Sequence, residues 1–261
     1  MPSPSKKQAA LEKVFQATLA RGGPLVFDNK LVKQLTGEDF SNQFDVTKQD
    51  TSEKLPTLLR NQDFFVVHLG GGKHQFVKGI KLGYHELEPI SDSETIPWKY
   101  RKSILNEMDS SEANILSLIS NQRIVHDFLY EDIIASAKVY LRKRKKSSFS
   151  YAVGQQTIEA TTVQVETALT FEYLGHVTIC EAKNGMPKDF AVYQLFHPIR
   201  YYLNLQRQHR LAITKISGMF VNRHVANSQT LVELRLYEFT NPDDIGSINL
   251  VKKSRYRLDR G

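Results

Sequence analysis

The sequence predicts an α/β (α+β) fold, and three observations carry that prediction. Apolar residues recur at helical spacing near the N-terminus, a glycine-jointed pair of extended runs follows, and the second half is strand-rich around one helical stretch. The chain has 261 residues and an ordinary apolar fraction of 41%, enough to bury a sizeable core.

The elements follow in order. Leu11, Val14, Phe15 and Leu19 share a helical stripe over residues 8–20, which Gly22 and Gly23 terminate. A short apolar run at 25–27, helical candidates at 31–35 and 56–61, and two strands at 64–69 and 75–81 come next. Gly70, Gly71, Gly72 and Lys73 join the strands, as expected of a hairpin whose turn needs positive φ. Helix, strand, helices and hairpin is the order of a winged-helix module, so residues 1–90 are expected to form a DNA-contacting N-terminal unit and residues 91–261 a second domain. Pro89, Ser91, Asp92, Ser93 and Pro97 read as the linker.

Beyond it, residues 98–141 read as helical, with Ser110 or Ser111 as N-cap and Ile115, Leu118 and Ile119 on an apolar stripe. Strands are expected at 161–173, 176–183, 211–221 and 230–239. A helix opening at Pro187 and Asp189 carries Val192, Leu195, Phe196 and Ile199 inward, and Pro198 should kink or interrupt it.

Thirty-five Lys and Arg against 28 Asp and Glu leave a net charge of +7, which favours polyanionic partners without choosing among them. The excess clusters at Arg142, Lys143, Arg144, Lys145 and Lys146, and again at Lys252, Lys253, Arg255, Arg257 and Arg260. Cys180 is the only cysteine, so neither an internal disulfide nor a thiolate-rich zinc site can form. The histidines His68, His85, His126, His176, His197, His209 and His224 lack zinc-site spacing. No apolar signal core or bilayer-length apolar span is evident, so a cytoplasmic, non-membrane protein is expected.

The run HVTICEAKNG holds the strongest chemical signal. Glu181 and Lys183 are two apart on an apolar strand, so both side chains leave the same face and can meet one phosphate. Spacing alone decides little, because Asp28, Asn29 and Lys30 satisfy it too. Context separates them, since Glu181 and Lys183 end a strand that follows a hairpin, precede Asn184 and Gly185, and lead into a helix. The preceding strand offers a second acid at Glu166, with Glu172 and Glu159 as alternatives.

This arrangement resembles the core of the PD-(D/E)XK nuclease superfamily, and type II restriction endonucleases in particular, over roughly residues 155–240. That family usually carries aspartate as its first acid, often after proline, where this chain has glutamate. The resemblance implies a mixed sheet flanked by helices and sequence-specific, Mg²⁺-dependent hydrolysis of double-stranded DNA. Hard carboxylate oxygens suit Mg²⁺, which keeps several waters and can present one for attack. By resemblance, Glu166, Glu181 and the carbonyl of Ala182 would hold the metal, Lys183 would orient the attacking water and offset charge, and Gln194 and His197 would approach the centre.

DNA contacts are expected from Lys73, His74 and Lys78 on the hairpin, from Arg142, Lys143, Arg144, Lys145 and Lys146, and from Arg200 with Tyr201 and Tyr202. Cutting both strands implies a homodimer, since one chain offers one metal centre. The alternatives are a repair or recombination nuclease on the same core, or a non-catalytic DNA-binding regulator.

Overall fold

The computed structural model describes residues 4–105, 111–226 and 228–259, without the side chains of residues 142 and 143. Helix α1 (Lys6–Arg21) starts at a capping box, in which Ser5 and Gln8 satisfy each other's backbone N–H groups. It buries Leu11, Val14 and Phe15 as its spacing requires. Leu19 is exposed, and Thr18 takes the inward place because its hydroxyl donates to the Val14 carbonyl.

Strand β1 (Val26–Asp28) leads into α2 (Asn29–Thr36), where Asp28 caps the helix by accepting from Leu31 N. Two short helices, α3 (Phe44–Thr47) and α4 (Thr57–Asn61), precede the hairpin of β2 (Phe64–Gly70) and β3 (Lys73–Lys78). These strands form an antiparallel sheet in the order β1-β3-β2. At the hairpin turn Gly71 and Lys73 are exposed, while Gly70 packs against the large sheet. Gly70 has φ +85°, and a Cβ there would collide with the Thr161 carbonyl oxygen of the neighbouring large sheet.

A short helix α5 (Ile80–Gly83) and β4 (Tyr84–Glu86) follow. The expected linker is structured instead. Ser91 caps a 3-10 turn over Asp92–Glu94, and β5 (Thr95–Lys99) joins the large sheet as an edge strand, a position where Pro97 is tolerated. The expected helical region divides into α6 (Glu112–Asn121) and α7 (Ile124–Tyr130). Ser111 caps α6, while Ser110 lies outside the described residues. The chain is already extended again at β6 (Lys138–Val153), where alternation rather than helical spacing governs burial near Phe149, Tyr151 and Val153.

The remaining elements are β7 (Gln156–Tyr173), β8 (His176–Asn184), β9 (Asp189–Ala191), α8 (Tyr193–His209), β10 (Lys215–Ala226), β11 (Gln229–Phe239) and β12 (Ile248–Asp259). Residues near Pro187 and Asp189 therefore extend before the helix begins, and β9 pairs with β4. Helix α8 runs through Pro198 without interruption, since a proline this near the start forfeits a single bond, to the Gln194 carbonyl. Strand β12, with its cluster of cations, was not anticipated from the sequence.

The large sheet is mixed, in the order β5-β12-β11-β10-β8-β7-β6. β8 and β10 are parallel and joined through α8, as a parallel pair requires a crossover. Gly218 on β10 admits the helix, because a Cβ there would lie 3.0 Å from Leu195 Cβ. Helices flank both faces. α6 and α7 pack Ile115, Ile119 and Phe128 with Cys180, Ala182, Met219 and Val221, while α8 packs Leu195 with Phe220 of the opposite face. A further core joins the N-terminal elements to Phe149, Tyr151, Val163, Val165 and Phe196, so the two halves share buried surface. Among the described residues, no helix is long and apolar enough to cross a membrane.

Candidate functional site

Strand β8 carries Glu181 and Lys183 to the rim where α6, α8 and β7 meet. Lys183 Nζ lies 3.1 Å from Glu181 Oε1 and 2.9 Å from Glu112 Oε1, in the first turn of α6. The Glu181 and Lys183 side chains are only 18% and 17% exposed, so both charges are largely withdrawn from water. Burial pushes the Glu181 carboxyl above its usual range against the pull of Lys183. Burial alone would lower the Lys183 ammonium, but Glu181 and Glu112 outweigh it and hold the group ionised. From the first turn of α8, Gln194 Nε2 donates to Glu181 Oε1 at 3.1 Å.

Glu166 lies on β7 and lines two adjoining clefts, and Glu181 lines both as well. Its carboxylate meets Arg144 Nε at 2.8 Å and accepts from Gln164 Nε2 at 2.9 Å. The other acids considered lie apart. Glu172 faces Lys138 at 3.6 Å, and Glu159 sits opposite Ser150, neither lining these clefts. Glu166 and Glu181 thus share both clefts, while Lys183 lines the second and Gln194 the first.

Among the described residues, no group of three or more His, Cys, Asp or Glu side chains is arranged to hold a metal ion. Mg²⁺ asks less of a protein, since it keeps several waters and takes one or two carboxylates. Two glutamates on the wall of one cleft are compatible with that donor set. The Ala182 methyl is buried in the helical core, on the face of β8 opposite Glu181 and Lys183.

The expected DNA contacts divide. Lys73 and Lys78 are exposed at the ends of β3. His74 is 1% exposed, bonded to His68 and to Asn29, and lines the first cleft rather than the outer surface of the hairpin. Arg200 is also interior, because its guanidinium donates to the carbonyls of Pro242 and Ser150 and pairs with Asp243. It braces α8 against the loop after β11 and presents no free face to a phosphate. The basic run lies within β6 at the sheet edge rather than after a helix. There Lys145 and Lys146 are exposed and Arg144 is paired with Glu166, while the side chains of Arg142 and Lys143 lie outside the described residues.

Two residues of the site escaped the sequence reading. Glu112 follows its cap as any first-turn acid would, and nothing local ties it to Lys183. Lys48, exposed after α3, lines both clefts from the N-terminal side. Acid-x-Lys spacing had no means of pointing to either.

The fold and site together define a mixed α+β protein with a largely buried acid-amine pair on β8, an interior strand of a seven-stranded sheet. The chain belongs to the family described as Domain of unknown function (DUF6997), which matches residues 79–257. A second description, Domain of unknown function (DUF6996), matches residues 8–76. Neither a curated protein nor a solved structure matches the chain.

Proposed function

We propose that this protein is a metal-dependent endonuclease with a PD-(D/E)XK-like core that hydrolyses double-stranded DNA in the manner of a type II restriction enzyme. The observation that carries this reading is the shared cleft of Glu166 and Glu181, with Lys183 held ionised against Glu181. Glu166 and Glu181, with the Ala182 carbonyl, would hold Mg²⁺, which when bound supplies an acidified water and neutralises developing negative charge.

The chain's own groups have separable roles. Lys183 places a fixed positive charge beside the reacting phosphoryl oxygens, and Glu112 holds its ammonium in place. Gln194 orients the Glu181 carboxylate. Lys48, Lys145, Lys146, Lys73 and Lys78 supply exposed charge for the DNA backbone, which makes binding salt-dependent. The winged-helix-like order of the N-terminal elements is consistent with a DNA-facing module, although its hairpin turn serves the cleft wall. Cleavage of both strands would use a homodimer acting in the cytoplasm.

The test is incubation of the purified protein with phage or plasmid DNA and Mg²⁺. Discrete fragments support restriction, and cuts confined to branched or damaged DNA support the repair nuclease. Metal-independent mobility shifts without cleavage support the regulator. Glu181→Ala and Lys183→Ala should each lower cutting by on the order of 10²–10³-fold while DNA binding persists. Full activity in both variants would sink the assignment.

A further inference from the structure

Beside the acid-amine pair lies a cavity of about 420 Å³ between the N-terminal elements and β7, a volume suited to a small organic group. Its walls are unusual for a solvated cleft. His68 and His197 both line it, are 5% and 4% exposed, and each carries a ring Nε2 without a hydrogen-bond partner. The hydroxyl of Tyr193 and the Oε1 of Gln194 are likewise buried and unpartnered on the same wall. Orphaned buried polar atoms are costly, and four of them belong to side chains that line this one cavity.

The chemistry of these groups narrows the ligand. Burial holds His68, His74 and His197 well below the usual histidine range, so the rings are neutral and offer donors and acceptors rather than positive charge. Phe44 and Tyr193 add aromatic surface beside them, with His68 packed 4.8 Å from Phe44 and 5.2 Å from Tyr193 between ring centroids. Cations are present too, as Lys48 and Lys146 line the cavity and are exposed. Neutral polar and aromatic walls with exposed cations suit a planar nitrogen heterocycle attached to a phosphate.

We infer that this cavity receives a single nucleobase extruded from a DNA strand whose backbone lies along the adjoining Glu166 and Glu181 cleft. The inference rests on the nucleic-acid reading of that cleft. Glu181 and Gln194 line the cavity, so an extruded base and the phosphate beside it would span the two spaces.

Binding in metal-free buffer tests this without reference to cleavage. Paired duplexes are compared by fluorescence anisotropy with otherwise identical duplexes in which an abasic position faces one base. The unpaired base costs less to extrude, so the wild-type protein should bind the abasic-opposed duplex roughly tenfold more tightly. His197→Phe keeps an aromatic ring and deletes the nitrogens, and should abolish that preference. Asn42→Trp, at an exposed position on the cavity wall, makes the same test if His197→Phe fails to fold.

Equal wild-type affinity for both duplexes overturns the inference, as does a preference that survives in the folded variants. Titration with deoxynucleoside monophosphates separates the two sources of the ring. Saturable binding that His197→Phe removes, without any duplex preference, makes a free nucleotide the ligand and overturns the extruded base. A duplex preference in a protein that never cuts DNA retains the cavity assignment and removes the nuclease.

Discussion

Gln194 donates to Glu181 across the junction of α8 and β8, at 3.1 Å, while its own carbonyl oxygen is buried without a partner. Helix and strand therefore meet at one carboxylate, and the amide that fixes its orientation retains an acceptor facing inward. Gln194→Leu should preserve the fold and lower cleavage by roughly tenfold, a smaller loss than at Lys183 because the amide orients rather than reacts. Gln194→Glu would set two acids side by side and should cost more. Single-turnover cutting rates at saturating enzyme measure both, and unchanged rates would remove Gln194 from the site.

Acid should destabilise the protein through its buried imidazoles. His197 is pushed down to about 3 by burial among Phe149, Tyr151, Tyr193 and Phe196. A histidine depressed in the folded state contributes stability that is fully present above its unfolded value and is lost as pH falls toward the folded one. Between neutral pH and about pH 5, His197 alone should account for a loss of about 2 kcal/mol. Urea unfolding across that range would show it, and His197→Phe should flatten the slope.

Arg235 and Glu233 form a pair at 2.7 Å with both side chains 1% exposed. Glu233 also receives Arg255 at 2.8 Å, and Arg235 donates to the Glu88 carbonyl and to Asn222. Arg235→Met leaves Glu233 buried with one partner and should cost about 3–5 kcal/mol. Equilibrium denaturation checks this, and a loss below about 1 kcal/mol would mean that water replaces the guanidinium.

The turn at Gly70 couples the N-terminal elements to β7. Gly70→Ala meets both a positive φ and the Thr161 carbonyl, so it should destabilise by more than about 1 kcal/mol. The strain also falls on the cavity wall, because Gly70 and Thr162 line it. Hydrogen exchange should quicken in β2 and β3 before it quickens in β10 and β11, which lie farther from the turn.

Helix α1, the β2 and β3 hairpin, and strands β7, β8 and β11 were legible in the sequence because their signals are local. Apolar spacing marks a face and glycines mark a turn. The same alternation put Glu181 and Lys183 on one side of a strand. Competing signals mask other elements. The basic run beside Leu141 obscured the alternation of β6, and Pro97 made an edge strand look like a linker.

The sequence by itself determined an acid and an amine two residues apart on a buried strand, since that follows from the repeat of extended backbone. Tertiary structure alone decided that Glu112 and Gln194 would reach them, that Arg200 and His74 would turn inward, and that four residues with unpartnered polar atoms would line one cavity. Those outcomes depend on which strands become neighbours and which helix crosses them. No local pattern encodes the meeting of side chains from distant elements, because it is the closure of the sheet that brings them together.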